Sequence, residues 1–308
     1  MITKRNLSTI QVLRYIAGPA AWALAWAVAV PVLSVTIGAT WLQVPFAPIG
    51  ALGAALAIFI AFRNNTAFAR WNEARGGWQA ILVAGRALSR QVLASADNAV
   101  EGGLDPAVAG ALARELVLRQ VAFGYLLADA VRPRDPLVLD GLLPATEITV
   151  ALGSANPAQA VLVKQSIRIK DAIRAGVLGQ FDPISLEPQL AALSSAQGVV
   201  ERIKTTPTPR QYDYFTRRFV LLFAAAVPFG TLSLVPGAIW WTVPLSLLLS
   251  GVFIVMAVVG SANDEPFAGK VTDVPVAAIC VQIDRELRDM LGDRDLPAAP
   301  VPINGYLW

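Results

Sequence analysis

The chain has no histidine and only one cysteine, Cys280, among its 308 residues. No intrachain disulfide can form, and the imidazole and thiolate sets that commonly hold zinc or activate a nucleophile cannot be assembled. A glycine-rich phosphate loop and a GxSxG elbow are missing as well. An enzyme is therefore not expected, nor a resident cofactor or metal. Charge is scarce too: Asp, Glu, Lys and Arg make up 15% of the chain against 55% hydrophobic residues, and the mean hydropathy is +0.55. That balance belongs to a membrane protein. The scarcity is also uneven, because no acidic or basic residue occurs between Arg14 and Arg63, or between Arg218 and Asp264.

Each charge-free stretch is more than twice the roughly 20 residues that one helix needs to cross a bilayer. Each therefore reads as a hairpin of two spans. The first would run from Tyr15 to about Trp41 and from about Ala47 to Phe62, turning near Gln43, Val44 and Pro45. The second would run from Phe219 to about Val235 and from about Ile239 to Ala262, broken at Pro236 and Gly237. The first apolar run is too long for the core of a cleaved signal peptide and leads into a second span, so a retained helix is expected.

Basic residues flank both stretches: Lys4, Arg5 and Arg14, then Arg63, Arg70 and Arg75, then Arg210, Arg217 and Arg218. The positive-inside rule places the termini and the segment 63–218 in the cytoplasm, with the two charge-free turns outside. The expected organisation is an N-terminal segment and first hairpin at 1–62, a cytoplasmic helical domain at 63–218, a second hairpin at 219–263 and a cytoplasmic C-terminal segment at 264–308. The net charge of +3 is what such loops produce, and no nucleic-acid partner is implied. A cell-membrane location with both termini in the cytoplasm follows from the same layout.

The middle segment reads as helix. Ala67 to Leu93 and Pro106 to Val131 carry apolar residues at three-to-four spacing without interior proline, which is the amphipathic pattern. Breaks fall at Gly102 and Gly103, at Arg132 to Pro136, and near Asn156 and Pro157. Further helices are expected from Pro157 to about Leu178 and from Pro188 to about Lys204, before TTPTPRQ. The fold class is all-α, partly in lipid and partly in water.

Within GALGAALAIFIAF of the second span, Ala54, Ile58 and Phe62 recur at i, i+4 and i+8 and share one helix face. Gly50 and Gly53 allow a neighbouring helix to approach. Spacing alone leaves two readings: a packing or lipid-facing stripe, or an apolar pore lining. Beyond Phe62 the chain turns abruptly polar. Phe68, Trp71, Arg75 and Trp78 share a face that suggests packing against the rest of the domain. Asp264 and Glu265 end the last span beside Pro266 and Phe267, where two interfacial carboxylates are the plain reading.

The run IGALGAALAIFIAFRNNTAFARWNEARGGWQAI resembles the signature of the bestrophin family in its bacterial branch. A glycine-rich span ends in Phe-Arg-Asn-Asn, followed by Ala-aromatic-Ala-Arg-aromatic, Glu-Ala-Arg and a Trp. NDEPFAGKVTDVPVAAIC after the fourth span is similar to the family's acidic-Pro-Phe-Gly motif with its Asp-aliphatic-Pro segment, and TPTP precedes the third span. The order of these motifs and the paired hairpins extend the resemblance over nearly the whole chain.

The resemblance implies a homopentameric ion channel in which the second span of each subunit lines a central pore above a helical vestibule. The apolar neck would fall on Ala54, Ile58 and Phe62. A cytoplasmic aperture would fall on Phe181, with Ile184 as the alternative one turn on. Arg63, Asn64, Asn65, Arg70 and Glu73 would tie subunits and helices together, although Arg63 and Asn65 could also line the vestibule. Two departures stand out. Ala268 occupies the usual place of the glycine after Pro-Phe, and Asp273 is a lone carboxylate where calcium-binding members carry an acidic run. A calcium site needs about six or more oxygen ligands, so calcium gating is not expected.

Small monovalent ions are the implied permeants. Aromatic edges, the positive part of the ring quadrupole, facing the axis favour anions such as chloride; a sodium- or potassium-conducting channel of the same fold is the alternative. A secondary transporter should show ionisable residues at the bilayer midplane, and both stretches lack them. A membrane-anchored scaffold without conductance is the remaining reading. The partners expected are further copies of the chain, membrane lipid and the permeant ions.

Overall fold

The computed structural model describes residues 1–3, 9–133 and 139–307. Lys4, Arg5, the side chain of Arg14 and part of the expected break at 132–136 lie outside the described residues. Helices dominate: α1 Thr9–Ile37, α2 Phe46–Glu101, α3 Pro106–Val131, α4 Ala145–Leu152, α5 Pro157–Arg174, α6 Asp182–Thr205, α7 Arg210–Leu234, α8 Thr242–Asn263 and α9 Val276–Met290. Short 3-10 turns at Thr40–Leu42 and Ile239–Trp241 precede α2 and α8. Among the described residues there is no strand, only isolated bridges that join Tyr306 to Ile2 and Ile303.

Four helices are long and apolar enough to cross a membrane, within Ile16–Ile37, Phe46–Glu101, Arg210–Leu234 and Ile239–Asn263. The two hairpins expected from the charge-free stretches are thus present, and the protein is an all-helical membrane protein. The second span continues as helix past Phe62. It is the first part of a single helix of 56 residues, because no proline interrupts it. The glycines at 76 and 77 do not break it, since Ala74, Trp78 and Ile81 continue a fully buried face through them.

The chain divides into two compact units. One comprises Lys4–Trp71 and Pro207–Glu265 and holds the spans; the other comprises Met1–Thr3, Asn72–Thr206 and Pro266–Trp308. In the membrane unit α1, α7 and α8 pack on one another, and Ile49, Leu56 and Ile60 of α2 join Phe223, Val227 and Ile254 in its core. Gly53 is needed for this packing: a Cβ there would lie 2.8 Å from the ring of Phe223. Gly50 has a different setting, because the ring nearest it is that of Phe46 on its own helix.

The helical unit is built from α3 and the elements around it, with α5 and α9 packed on α3. Asp105 caps α3 by accepting from the Ala107 N–H at 2.9 Å, and Asn156 caps α5 by accepting from Gln159 N–H at 3.0 Å; Pro106 and Pro157 follow at the first helical position. This arrangement satisfies amide groups that have no partner within the helix. α6 begins six residues before the expected start at Pro188. It starts at Asp182, whose carboxylate accepts from the Gly179 N–H at 2.7 Å, and Pro188 lies inside it.

Bidentate ion pairs link these helices: Arg168 to Glu115, with both contacts at 2.6 Å, Arg86 to Glu286 and Arg114 to Asp293. The guanidinium partners hold Glu115, Glu286 and Asp293 below the ordinary carboxylate range. A depressed folded pKa contributes stability above the unfolded pKa, and that stability is lost as pH falls through the folded value. The melting temperature of the purified protein should therefore fall steeply as pH drops below about 4.5, and Glu286→Gln should lower it at pH 7 while flattening that slope. An unchanged slope in the variant counts against the assignment.

Candidate functional site

α2 has two contrasting faces within the membrane unit. Gly53, Leu56 and Ile60, at three-to-four spacing, and Ala67 two turns further on are buried. Ala54, Ile58 and Phe62 lie on the other side and are exposed, Ile58 at 60% and Phe62 at 70%. The stripe therefore does not pack within the chain. It is a row of growing side chains left for lipid, another subunit or the pore axis.

Arg63, directly beyond Phe62, turns toward the buried side. Its Nη1 donates to the Ala257 carbonyl at 3.1 Å and its Nη2 to the Ser261 hydroxyl at 2.8 Å, and it forms an ion pair with Asp213. Ser261 donates in turn to Asp213 at 2.9 Å. One guanidinium thus joins α2 to α7 and α8, and its side chain is only 8% exposed. Removing one partner of such a pair costs about 3–5 kcal/mol when the other charge stays buried. Asn64 adds a second link by donating from Nδ2 to the Met256 carbonyl at 2.9 Å.

Gly260 makes both links possible. A Cβ at that position would lie 1.9 Å from Asn64 Oδ1 and 2.9 Å from Arg63 Nη1, so no side chain fits while they stay in place. Gly260→Ala should destabilise the protein by about 2 kcal/mol and lower its melting temperature by several degrees. Adding Asn64→Ala, which removes the nearest atom, should recover part of the loss. A double variant no better than the sum of the two single ones would rule out this contact as the cause.

The remaining candidates divide. Asn65 is exposed and Arg70 half-buried, while Glu73 forms an ion pair with Arg202 of α6. The expectation that Phe68, Trp71, Arg75 and Trp78 pack against the rest of the domain needs correction. Only Trp78 is fully buried; Phe68 and Arg75 are exposed, and Phe68 stacks on Trp71 with centroids 6.2 Å apart. The buried arc of the helix passes through Ala67, Ala74 and Trp78, leaving Phe68 and Arg75 at its edge.

After α8, Asp264 accepts from the Thr208 hydroxyl at 2.6 Å and Glu265 follows it in an exposed position. Pro266 and Phe267 are buried, and the Val274 N–H returns to the Pro266 carbonyl at 3.1 Å to close a loop. Gly269, one place later than the family pattern has it, carries the positive φ of +87° that the turn requires and that glycine adopts without cost. Its N–H donates to Asp273 at 2.6 Å. Burial raises the pKa of the Asp273 carboxyl, against the opposing pull of the Gly269 N–H and Arg132. Among the described residues no group of three or more His, Cys, Asp or Glu could hold a metal ion.

Phe181 precedes α6 and Ile184 lies in its first turn, with the Ile184 N–H donating to the Phe181 carbonyl at 3.0 Å. Both are exposed, Phe181 at 80% and Ile184 at 73%. Buried Val177 and Leu178 anchor the connection just before them.

The sequence reasoning missed Asp213, the carboxylate partner of Arg63. A signal was present, since it is the one acid in the basic, aromatic segment RQYDYFTRR. A cavity beside Phe62 was also missed. It measures about 420 Å³ and is lined by Phe59, Phe62, Arg63, Thr66, Tyr212 and Asp213 among others.

A family profile described as Bacterial/Fungal Bestrophin protein matches residues 6–289. A Salmonella typhi protein named voltage-dependent anion channel-forming protein YneE is 32% identical over 262 residues, which are 84% of this chain and 81% of that protein. A Ralstonia nicotianae protein named voltage-dependent anion channel-forming protein RSc3414 is 28% identical over 250 residues, covering 81% of this chain and 78% of its own length. The crystal structure of a bacterial bestrophin homolog from Klebsiella pneumoniae superimposes with a TM-score of 0.79 at 28% identity, covering 90% of this chain and 98% of that one. Four spans in two hairpins, the Phe-Arg-Asn-Asn boundary on one continuous helix and these likenesses lead to one assignment: the chain belongs to the bacterial and fungal bestrophin family.

Proposed function

We propose that the protein is a passive channel for small monovalent ions that favours anions such as chloride, and that it is not an enzyme. The observation that carries this reading is the exposed apolar row on α2, Ala54, Ile58 and Phe62, on a span whose opposite face is fully packed. The names of the Salmonella and Ralstonia relatives support the anion preference. Five copies of the row around an axis form a neck that narrows toward Phe62, where ions lose hydration and the pore can dewet. Phe181, or Ile184 one turn on, forms the aperture at the exit. Arg63, Asn64, Arg70 and Glu73 stabilise the assembly below the neck, and Asn65 faces the vestibule. Asp264, Glu265, Pro266 and Phe267 join the last span to the C-terminal segment.

The arginines at 63, 70, 75, 210, 217 and 218 support a bacterial inner-membrane location with both termini in the cytoplasm. On that orientation, 63–218 and 264–308 form the cytoplasmic part around the hairpins at 1–62 and 219–263. A closed ring uses one heterologous contact repeated about the axis. Light scattering corrected for detergent should then give about five times the 32.7 kDa chain mass. A monomer or dimer in mild detergent would falsify the ring. Purified pentamers without current in planar bilayers would instead point to a membrane-anchored scaffold.

A further inference from the structure

In the membrane unit, α1 and α7 leave an open groove of about 490 Å³ between them, lined by Trp22, Arg218, Leu221, Leu222 and Ala225. Its walls are apolar except at one end. That end carries the guanidinium of Arg218, the last charged residue before the charge-free stretch of the third and fourth spans. Arg218 lies over the Tyr214 ring, 5.2 Å from its centroid, and makes no ion pair among the described residues. Arg217 beside it is held by Asp213 at 2.8 Å. The groove wall is braced: Trp22 stacks on Trp26, and the Trp26 indole N–H donates to the Ala225 carbonyl at 3.0 Å.

The occupant must be apolar along its length and anionic at one end. The level at which a charge-free span meets its first arginine is the headgroup level of a bilayer, where aromatic residues also gather. A guanidinium without a carboxylate presents its fork of donors to a phosphate, and basic pockets between spans recognise anionic headgroups. We propose that the groove between α1 and α7 binds an anionic phospholipid, with one acyl chain along Trp22, Leu222 and Ala225 and the phosphate on Arg218. This inference goes beyond ion conduction and rests only on the membrane location of the spans.

The test titrates the full chain, purified in mild detergent, with phosphatidylglycerol or with phosphatidylcholine of the same acyl chains. Native mass spectrometry reads the lipid retained and a thermal melt reads stability. Phosphatidylglycerol should be retained about fivefold better, the ratio expected for one arginine at an anionic headgroup, and should raise the melting temperature. Arg218→Gln should bring the ratio close to one while leaving the melting temperature in phosphatidylcholine unchanged, because the side chain is exposed. Arg217→Gln changes the charge equally but should keep the ratio. Leu222→Trp, which fills the groove, should displace both lipids. Equal retention of the two lipids in the wild type, or an undiminished preference in Arg218→Gln, overturns the proposal. So does stabilisation by inorganic phosphate alone that matches that by phosphatidylglycerol. A Leu222→Trp variant that changes oligomeric mass but retains lipid also overturns it, by making the groove a contact between copies.

Discussion

In planar bilayers Ile58→Ala and Phe62→Ala should each carry at least about threefold more current than the wild type at the same voltage. Both side chains leave the packed face of α2 and are more than half exposed in the single chain, Ile58 at 60% and Phe62 at 70%, so truncating them leaves the core of the membrane unit intact. In a ring of five, each substitution widens one layer of the neck by five side chains at once and weakens the dewetting that holds ions back. A threefold gain needs only about 0.7 kcal/mol off the barrier. Leu56→Ala is the contrasting control, because Leu56 lies in the buried cluster and its loss should cost about 2–5 kcal/mol of stability without opening the pore. Unchanged currents in both exposed variants would return the stripe to lipid or subunit packing.

Under a salt gradient the wild type should show a reversal potential on the anion side, and Phe181→Ala should conduct more while discriminating less among anions of different size. Phe181 stands 80% exposed just before α6, so its removal leaves no internal cavity. Five phenyl rings at an exit act through their bulk and through the positive edge of the quadrupole; alanine removes both. Ile184→Ala distinguishes the two candidates, since Ile184 has size but no quadrupole. If Ile184→Ala relaxes size discrimination and Phe181→Ala does not, the aperture lies one turn further on. A cation-side reversal in the wild type would overturn the anion preference while leaving the channel intact.

Much of the membrane architecture is legible without coordinates, because a charge-free stretch of such length has few folded alternatives. The helix starts at Pro106 and Pro157 were equally plain, each preceded by a capping side chain. The start of α6 was not, since Pro188 attracts attention as a helix beginning while the helix starts at Asp182 without a side-chain cap. The polar turn at Arg63 marks the end of the apolar span but not of the helix, since nothing in the backbone chemistry stops a helix there. α4 and α9 went unrecognised as separate helices, the first because it has only eight residues.

The candidate site was legible by face and not by partner. Spacing alone put Ala54, Ile58 and Phe62 in one row, since side-chain direction in a helix is a local property with a period of 3.6. Whether that row faced the core or was left outside depended on which arc of α2 the rings of α7 and the chain of α8 would cover, and Phe223 against Gly53 decided it. The pairing of Arg63 with Asp213, 150 residues away, and the demand for a bare Gly260 belong to the same class. Sequence determines the elements and their faces because propensity, capping and periodicity act over a few residues. Only the tertiary structure decides which faces meet, because close packing and the cost of an unpaired buried charge are settled between helices that are neighbours in space alone.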